Sequence, residues 1–194
     1  MKLLSKSLIV MLLVSASYQA QATNIALAAD GVWNEFNIND GSDGPGTGAL
    51  SGGVEWIDML DSNSPDFGTA LTYQFTISSG FTGTLTVVDG AFAGDIFEIK
   101  NNGISIGQTS FTSVIGADPV NDFDANLINS DYSSRTFTLD AGTYNITGGL
   151  LSTTQAFNAT NGALKLEVAA VPEPETFALM LAGLGLLVAK RRRT

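Results

Sequence analysis

Leu71-Thr72-Tyr73-Gln74-Phe75-Thr76-Ile77-Ser78 is the stretch that decides the fold. Leu71, Tyr73, Phe75 and Ile77 alternate with Thr72, Gln74, Thr76 and Ser78, a period of two. Successive side chains of an extended chain point to opposite faces, so this pattern predicts a strand with one buried and one wetted face. Downstream, Thr82 to Val88 follows Ser79-Gly80, turning Leu85 and Val87 inward, and Asp89-Gly90 marks a turn. Asp95 to Lys100 sends Phe97 and Ile99 one way and Ile96, Glu98 and Lys100 the other. Asn101-Asn102-Gly103 then leads into Ile104 to Phe111, where Asn-Gly supplies the positive φ of a tight hairpin. Residues 135–139 and 144–147 flank Asp140-Ala141-Gly142, which reads as a second hairpin. Leu150 to Thr154 is a weaker strand, and Leu164, Leu166 and Val168 alternate with Lys165 and Glu167 in the last one. Upstream, Gly31 to Asn39 with Trp33 and Val54 to Leu60 with Trp56 read as strands around a glycine-rich loop, 40–48.

About nine or ten short strands separated by turn residues predict an all-β body, a single β-sandwich of jelly-roll type over residues 23–170. No stretch of that body carries a sustained helical period.

Both ends of the chain differ from this middle. Lys2 and Lys6 are followed by an apolar run, Leu8 to Val14, and by Ala20-Gln21-Ala22 before Thr23. A positive start, a short apolar helix and an A-x-A site predict a secretory signal peptide over residues 1–22, cut between Ala22 and Thr23. At the other end Val171-Pro172-Glu173-Pro174-Glu175-Thr176 leads into an apolar run, Phe177 to Ala189, and then Lys190-Arg191-Arg192-Arg193-Thr194. The run predicts a short transmembrane helix, although a comfortable span takes about 20 residues. It suits transient retention better than permanent anchoring. The basic cluster Lys190–Arg193 would stay cytoplasmic and the body outside.

This order of proline-bearing motif, apolar run and cationic end resembles the PEP-CTERM sorting tail of Gram-negative bacteria. The residues that carry the resemblance are Pro172, Glu173 and Pro174, Gly183 and Gly185 in the run, and Lys190, Arg191, Arg192 and Arg193. The resemblance implies processing of residues 171–194 near Pro-Glu-Pro by exosortase, a membrane-embedded transpeptidase-like enzyme. It also implies delivery through the Sec machinery to the cell surface or exopolysaccharide. The body is similar to an uncharacterised group of PEP-CTERM proteins through residues 83–90, Gly94-Asp95-Ile96-Phe97-Glu98, Asn102-Gly103 and residues 141–148. The same pieces appear in modules resembling bacterial pre-peptidase jelly rolls, a likeness that brings no chemistry with it.

Charge and composition narrow the function. Of nineteen acids only Glu173 and Glu175 lie in the tail, and of nine Lys and Arg six lie in the two signals, so the body holds seventeen acids against three bases, a net −14. Such a surface repels nucleic acid and anionic membranes. The sequence contains no His and no Cys, which removes Ser-His-Asp and Cys-His catalysis, His- or Cys-ligated zinc, and disulfides.

What remains is oxygen chemistry. Asp118, Asp122, Asp124 and Asn126, with Asp131, Asn121 and Asn129 nearby, form the densest group of hard donors, the kind that Ca²⁺ takes. Asp122-x-Asp124-x-Asn126 opens like an EF-hand loop, but Leu127 and Ser133 stand where glycine and the bidentate glutamate belong. Asp58, Asp61, Asn63 and Asp66, and Asp40 with Asp43, offer similar chemistry; Asx turns at strand ends use the same residues. Asp95 and Glu98 would be a carboxylate pair, yet residues three apart on a strand face opposite ways. Trp33, Trp56, Tyr73, Tyr132 and Tyr144 could stack on sugar rings or fill the core. The expectation is therefore a non-enzymatic exported protein of the cell envelope or extracellular matrix, with no cofactor beyond the open Ca²⁺ reading. A carbohydrate-binding or Ca²⁺-dependent adhesive module is the alternative, and a carboxylate-only polysaccharide-acting enzyme the weaker one.

Overall fold

A computed structural model of the chain describes residues 22–39, 55–58, 67–112, 122–153, 159–172 and 174–191. The strands are β1 (Thr23–Ala26), β2 (Asn34–Asn39), β3 (Leu71–Ile77), β4 (Phe81–Asp89), β5 (Asp95–Asn101), β6 (Ile104–Gln108), β7 (Ser134–Leu139), β8 (Gly142–Thr153) and β9 (Ala159–Ala170). Two helices are described, α1 (Phe123–Ile128) and α2 (Pro174–Arg191).

The strands form two sheets, ordered β1-β3-β8-β5-β6 and β2-β9-β4-β7. Without β1 this is the eight-stranded order of a jelly roll, with four strands in each sheet. The pairings are antiparallel apart from β1 with β3, which run parallel with Thr23 opposite Leu71. The alternation that opened the sequence reading is realised in β3, where Leu71, Tyr73, Phe75 and Ile77 are buried and Gln74 and Thr76 face water. From the facing sheet Leu85 and Val87 of β4 and Leu164 and Leu166 of β9 close on them, so that the inner faces bury a common apolar core.

Trp56 fills the centre of that core. Its ring stacks on Phe36 at 3.9 Å between centroids, and Phe36 meets Phe97 edge-on at 5.1 Å. Residues 55–58 are not the strand expected from Val54 to Leu60. Among the described residues they make isolated bridges instead, Glu55 to Gly149 in one sheet and Ile57 to Asn37 in the other. The chain crosses between the sheets here and drops Trp56 into the gap. Gly148 makes this possible: a Cβ there would lie 2.3 Å from the Trp56 ring.

The Asn102-Gly103 hairpin forms as expected between β5 and β6, with positive φ at both residues, 51° and 77°. The second expected hairpin does not. β7 pairs with β4, while β8 pairs with β3 and β5, so Asp140-Ala141 carries the chain from one sheet to the other. Trp33 lies just before β2 rather than within it. The body also contains α1, six residues packed against β4 and too short to leave a period in the sequence.

Candidate functional site: the tail junction and the carboxylates

β9 ends at Ala170, opposite Phe81 at the start of β4. One residue further the Val171 amide still donates to the Gly80 carbonyl, at 2.8 Å. Pro172 is exposed coil, Glu173 lies outside the described residues, and Pro174 opens α2. Proline suits a first helical turn, whose amides lack partners anyway. Lys190 and Arg191 occupy the last turn, where cations complement the exposed carbonyls; Arg192 and Arg193 lie outside the described residues. Leu179, Met180, Leu181, Leu184 and Val188 are each more than half exposed. From Phe177 to Ala189 the helix has no charged or hydrogen-bonding side chain on any face, the composition of a helix that belongs in an apolar surrounding. Its 18 residues rise about 27 Å at 1.5 Å each. No helix among the described residues is long and apolar enough to cross a membrane.

The residues considered for Ca²⁺ are drawn to separate tasks. Asp118 lies outside the described residues, as do Ala20, Asp40, Asp43, Asp61, Asn63 and Asp66. Asp122 caps α1, its carboxylate accepting from the Ala125 amide at 3.1 Å. Asp124 accepts from the Trp33 indole at 2.9 Å and pairs with Lys165 at 3.3 Å, contacts that hold its carboxyl below the usual range. Asn126 is buried and donates to the Asp89 carbonyl at 3.2 Å. Among the described residues no three His, Cys, Asp or Glu side chains form a metal-sized group.

The aromatic residues are similarly committed. Trp56, Tyr73 and Tyr132 are buried, and burial raises the Tyr73 hydroxyl above its ordinary value. Tyr144 stacks on Phe75 and donates to the Asp140 carbonyl. Lys165 sits 4.4 Å from the centroid of Trp33, whose ring also touches Phe123.

Two carboxylates are buried among the described residues of the body, Asp89 at an expected turn and Asp95 at the start of a strand. Asp89 continues the inward row of Leu85 and Val87 and is fully buried; Asp95, at the start of β5, is 2% exposed. Asp89 Oδ2 accepts from the Gly94 and Asp95 amides at 3.1 and 3.2 Å, and its Oδ1 has no hydrogen-bond partner among the described residues. Desolvation, with the Asp95 charge added, pushes the Asp89 carboxyl up to about 8. Burial also raises Asp95, against hydrogen bonds from Thr153 and Thr160. Ala91, between them in the chain, has φ of 46°, and Tyr132 donates to its carbonyl at 3.0 Å. The continued alternation through Asp89 was the signal available in the sequence. Glu98, as expected, points outward and pairs with Lys100 at 3.0 Å.

Residues 170–193 match the PEP-CTERM protein-sorting motif. The chain is thus a β-sandwich body followed by a PEP-CTERM sorting tail, and such a tail implies an exported protein of the cell envelope that exosortase processes. No curated protein matches the chain. Among solved structures, the pre-peptidase C-terminal domain of collagenase from Bacillus anthracis is 9% identical, covering 77% of this chain and 97% of that one at a TM-score of 0.37. The C-terminal CBM6 of LamC, a marine laminarinase from Zobellia galactanivorans, is 16% identical, with 69% and 99% covered at a TM-score of 0.29.

Proposed function

We propose that this chain is a non-enzymatic structural or interaction protein of the surface or exopolysaccharide matrix of a Gram-negative bacterium. It leaves the cytoplasm through the Sec machinery on residues 1–22, and α2 holds it briefly in the inner membrane until exosortase removes the tail. The observation that carries this reading is the motif match over residues 170–193, which includes the uncharged apolar run Phe177 to Ala189. Its apolar run, Phe177 to Ala189, rises only about 20 Å, short of the roughly 30 Å hydrocarbon core. That is adequate for retention and weak as an anchor. The absence of His and Cys, the burial of Asp89 and Asp95, and the Glu98–Lys100 pair support a body without a catalytic constellation or a resident cofactor.

Intact masses of the protein from cell-bound and secreted fractions of its host test the reading. A mature form ending near residues 172–175 is expected. Mature protein that still contains Arg193 and Thr194 would mean that the tail is a plain anchor.

A further inference from the structure

The sorting motif has almost no leash. Val171 is fixed to the Gly80 carbonyl, and Pro174 already belongs to α2. Only Pro172 and Glu173 lie between them, so Val171 and Pro174 are at most about 11 Å apart even in extended chain. A cleft that reads an extended Pro-Glu-Pro segment covers several residues at about 3.3 Å each. On the body side those residues run directly into β9. The β3–β4 turn comes with them: Phe81 lies opposite Ala170, the Phe81 amide donates to Ser78, and Gly80 holds Val171.

We infer that Ser78–Phe81 forms part of the surface against which the tail-processing enzyme docks, so that the folded sandwich meets the enzyme by this one end. The inference rests on the proposed processing of the tail. The turn suits such an approach. Ser78 and Ser79 are small, uncharged and exposed, and a Cβ placed on Gly80 would meet nothing within 4 Å. Phe81 and Val171, 42% and 47% exposed, add an apolar margin beside the motif. The four turn residues carry no charge in a body whose net charge is −14, so a membrane-embedded partner can cover them with little desolvation of charge; the exposed Asp140, between Leu139 and Gly142 that pair with Gly83 and Ile77, lies at the same pole outside this turn. The competing route, in which β9 peels away to free the motif, would break the Phe81–Ala170 and Thr82–Ala169 pairings and needs no contact with the turn.

The test follows tail removal by pulse–chase and intact mass in the native host, in four full-length proteins. These are wild type, Ser79→Ala, Ser79→Arg, and Ser79→Arg carrying about ten Gly/Ser residues between Val171 and Pro172, which add roughly 17 Å of reach. Resistance of each body to added protease verifies that it folds. Ser79→Arg is expected to slow tail removal about tenfold, a barrier change of about 1.4 kcal/mol. Ser79→Ala and the inserted protein should be cut at the wild-type rate. Equal rates for all four proteins, or slowing that the insertion fails to relieve, would overturn the docking surface while leaving the sorting function intact. If wild type itself keeps Thr194, the sorting function fails first and the docking surface falls with it.

Discussion

Replacing Asp89 with Asn should change how stability responds to pH. Burial drives the Asp89 carboxyl from 3.8 up to about 8, the Asp95 carboxylate assists, and the amides of Asp95, Gly94 and Gly90 oppose it. The folded chain therefore keeps a proton that the unfolded chain gives up at ordinary acid pH. Its contribution is present in full below the unfolded value near 4 and is lost as pH rises towards 8. At about 1.4 kcal/mol per pH unit, the full shift corresponds to ~6 kcal/mol and the interval from pH 5 to 8 to ~4 kcal/mol. For a domain of this size that is on the order of 10 °C in Tm. Asn keeps an oxygen for the Gly94 and Asp95 amides and has no proton to lose. Thermal unfolding of wild type and Asp89→Asn, followed by circular dichroism from pH 4 to 9, should show a steeper fall for wild type and a more stable variant at pH 8. The acidic surface weakens both proteins alike as pH rises, so the gap between the curves isolates Asp89. Parallel curves would refute the reasoning.

Gly148→Ala should lower stability by about 3 kcal/mol or more by urea unfolding, because its methyl must enter the Trp56 ring, 2.3 Å away, in a packed core. Ala91→Gly should raise stability by about 1 kcal/mol in the same assay, since φ of 46° is strained for a residue with a Cβ. Millimolar Ca²⁺ should leave Tm where equal Mg²⁺ leaves it, because Asp122, Asp124 and Asn126 serve the α1 cap, the Trp33–Lys165 pair and the Asp89 carbonyl; a rise with Ca²⁺ alone would favour the adhesive reading. Blocking the first cut by replacing Ala20 and Ala22 with bulky residues should leave β1 exposed to added protease while the rest of the body resists.

Much of the architecture was legible because a period of two survives in a strand that is wet on one face. Residues 71–77 announced β3, and Asn102-Gly103 announced the tight hairpin of β5 and β6. The errors share a cause. Asp140-Ala141-Gly142 has the turn chemistry of a hairpin, but turn residues report only that the chain reverses. Whether the flanking strands pair is decided by neighbours far along the chain, here β4 for β7 and β3 with β5 for β8. Asp122-x-Asp124-x-Asn126 was ambiguous for a related reason, since the oxygens that suit a cation also cap a helix, and the capped segment is only six residues long. Asp89 was hidden because a carboxylate after two valines looks like the end of a strand; only its place in the inward row, with Leu85 and Val87, betrays it. The tail was legible as a sorting motif, because its information lies in linear order rather than in a folded constellation; the short transmembrane helix expected there is not borne out by length and apolarity.

The two ends of the body lie at opposite poles of the sandwich, which on the proposed route would order the events of export. β9 delivers the tail at the pole of the β3–β4 turn, whereas Thr23 lies opposite Leu71, at the far end of β3, about 20 Å away. On the proposed route both signals are read at the membrane. In the folded sandwich Thr23 and Val171 are both held by backbone hydrogen bonds, at opposite poles. The Thr23 amide is committed to the Ala70 carbonyl in the finished fold, so on the proposed route the first cut would precede the docking of β1. The topology permits that order. β1 is four residues long, sits at a sheet edge and makes the one parallel pairing among the described strands, the weaker kind of ladder. The eight strands of the jelly roll close without it. The body can therefore fold with its tail pole against the membrane while β1 waits for Ala22 to be released, and the strand that joins last is the one whose absence costs the core least.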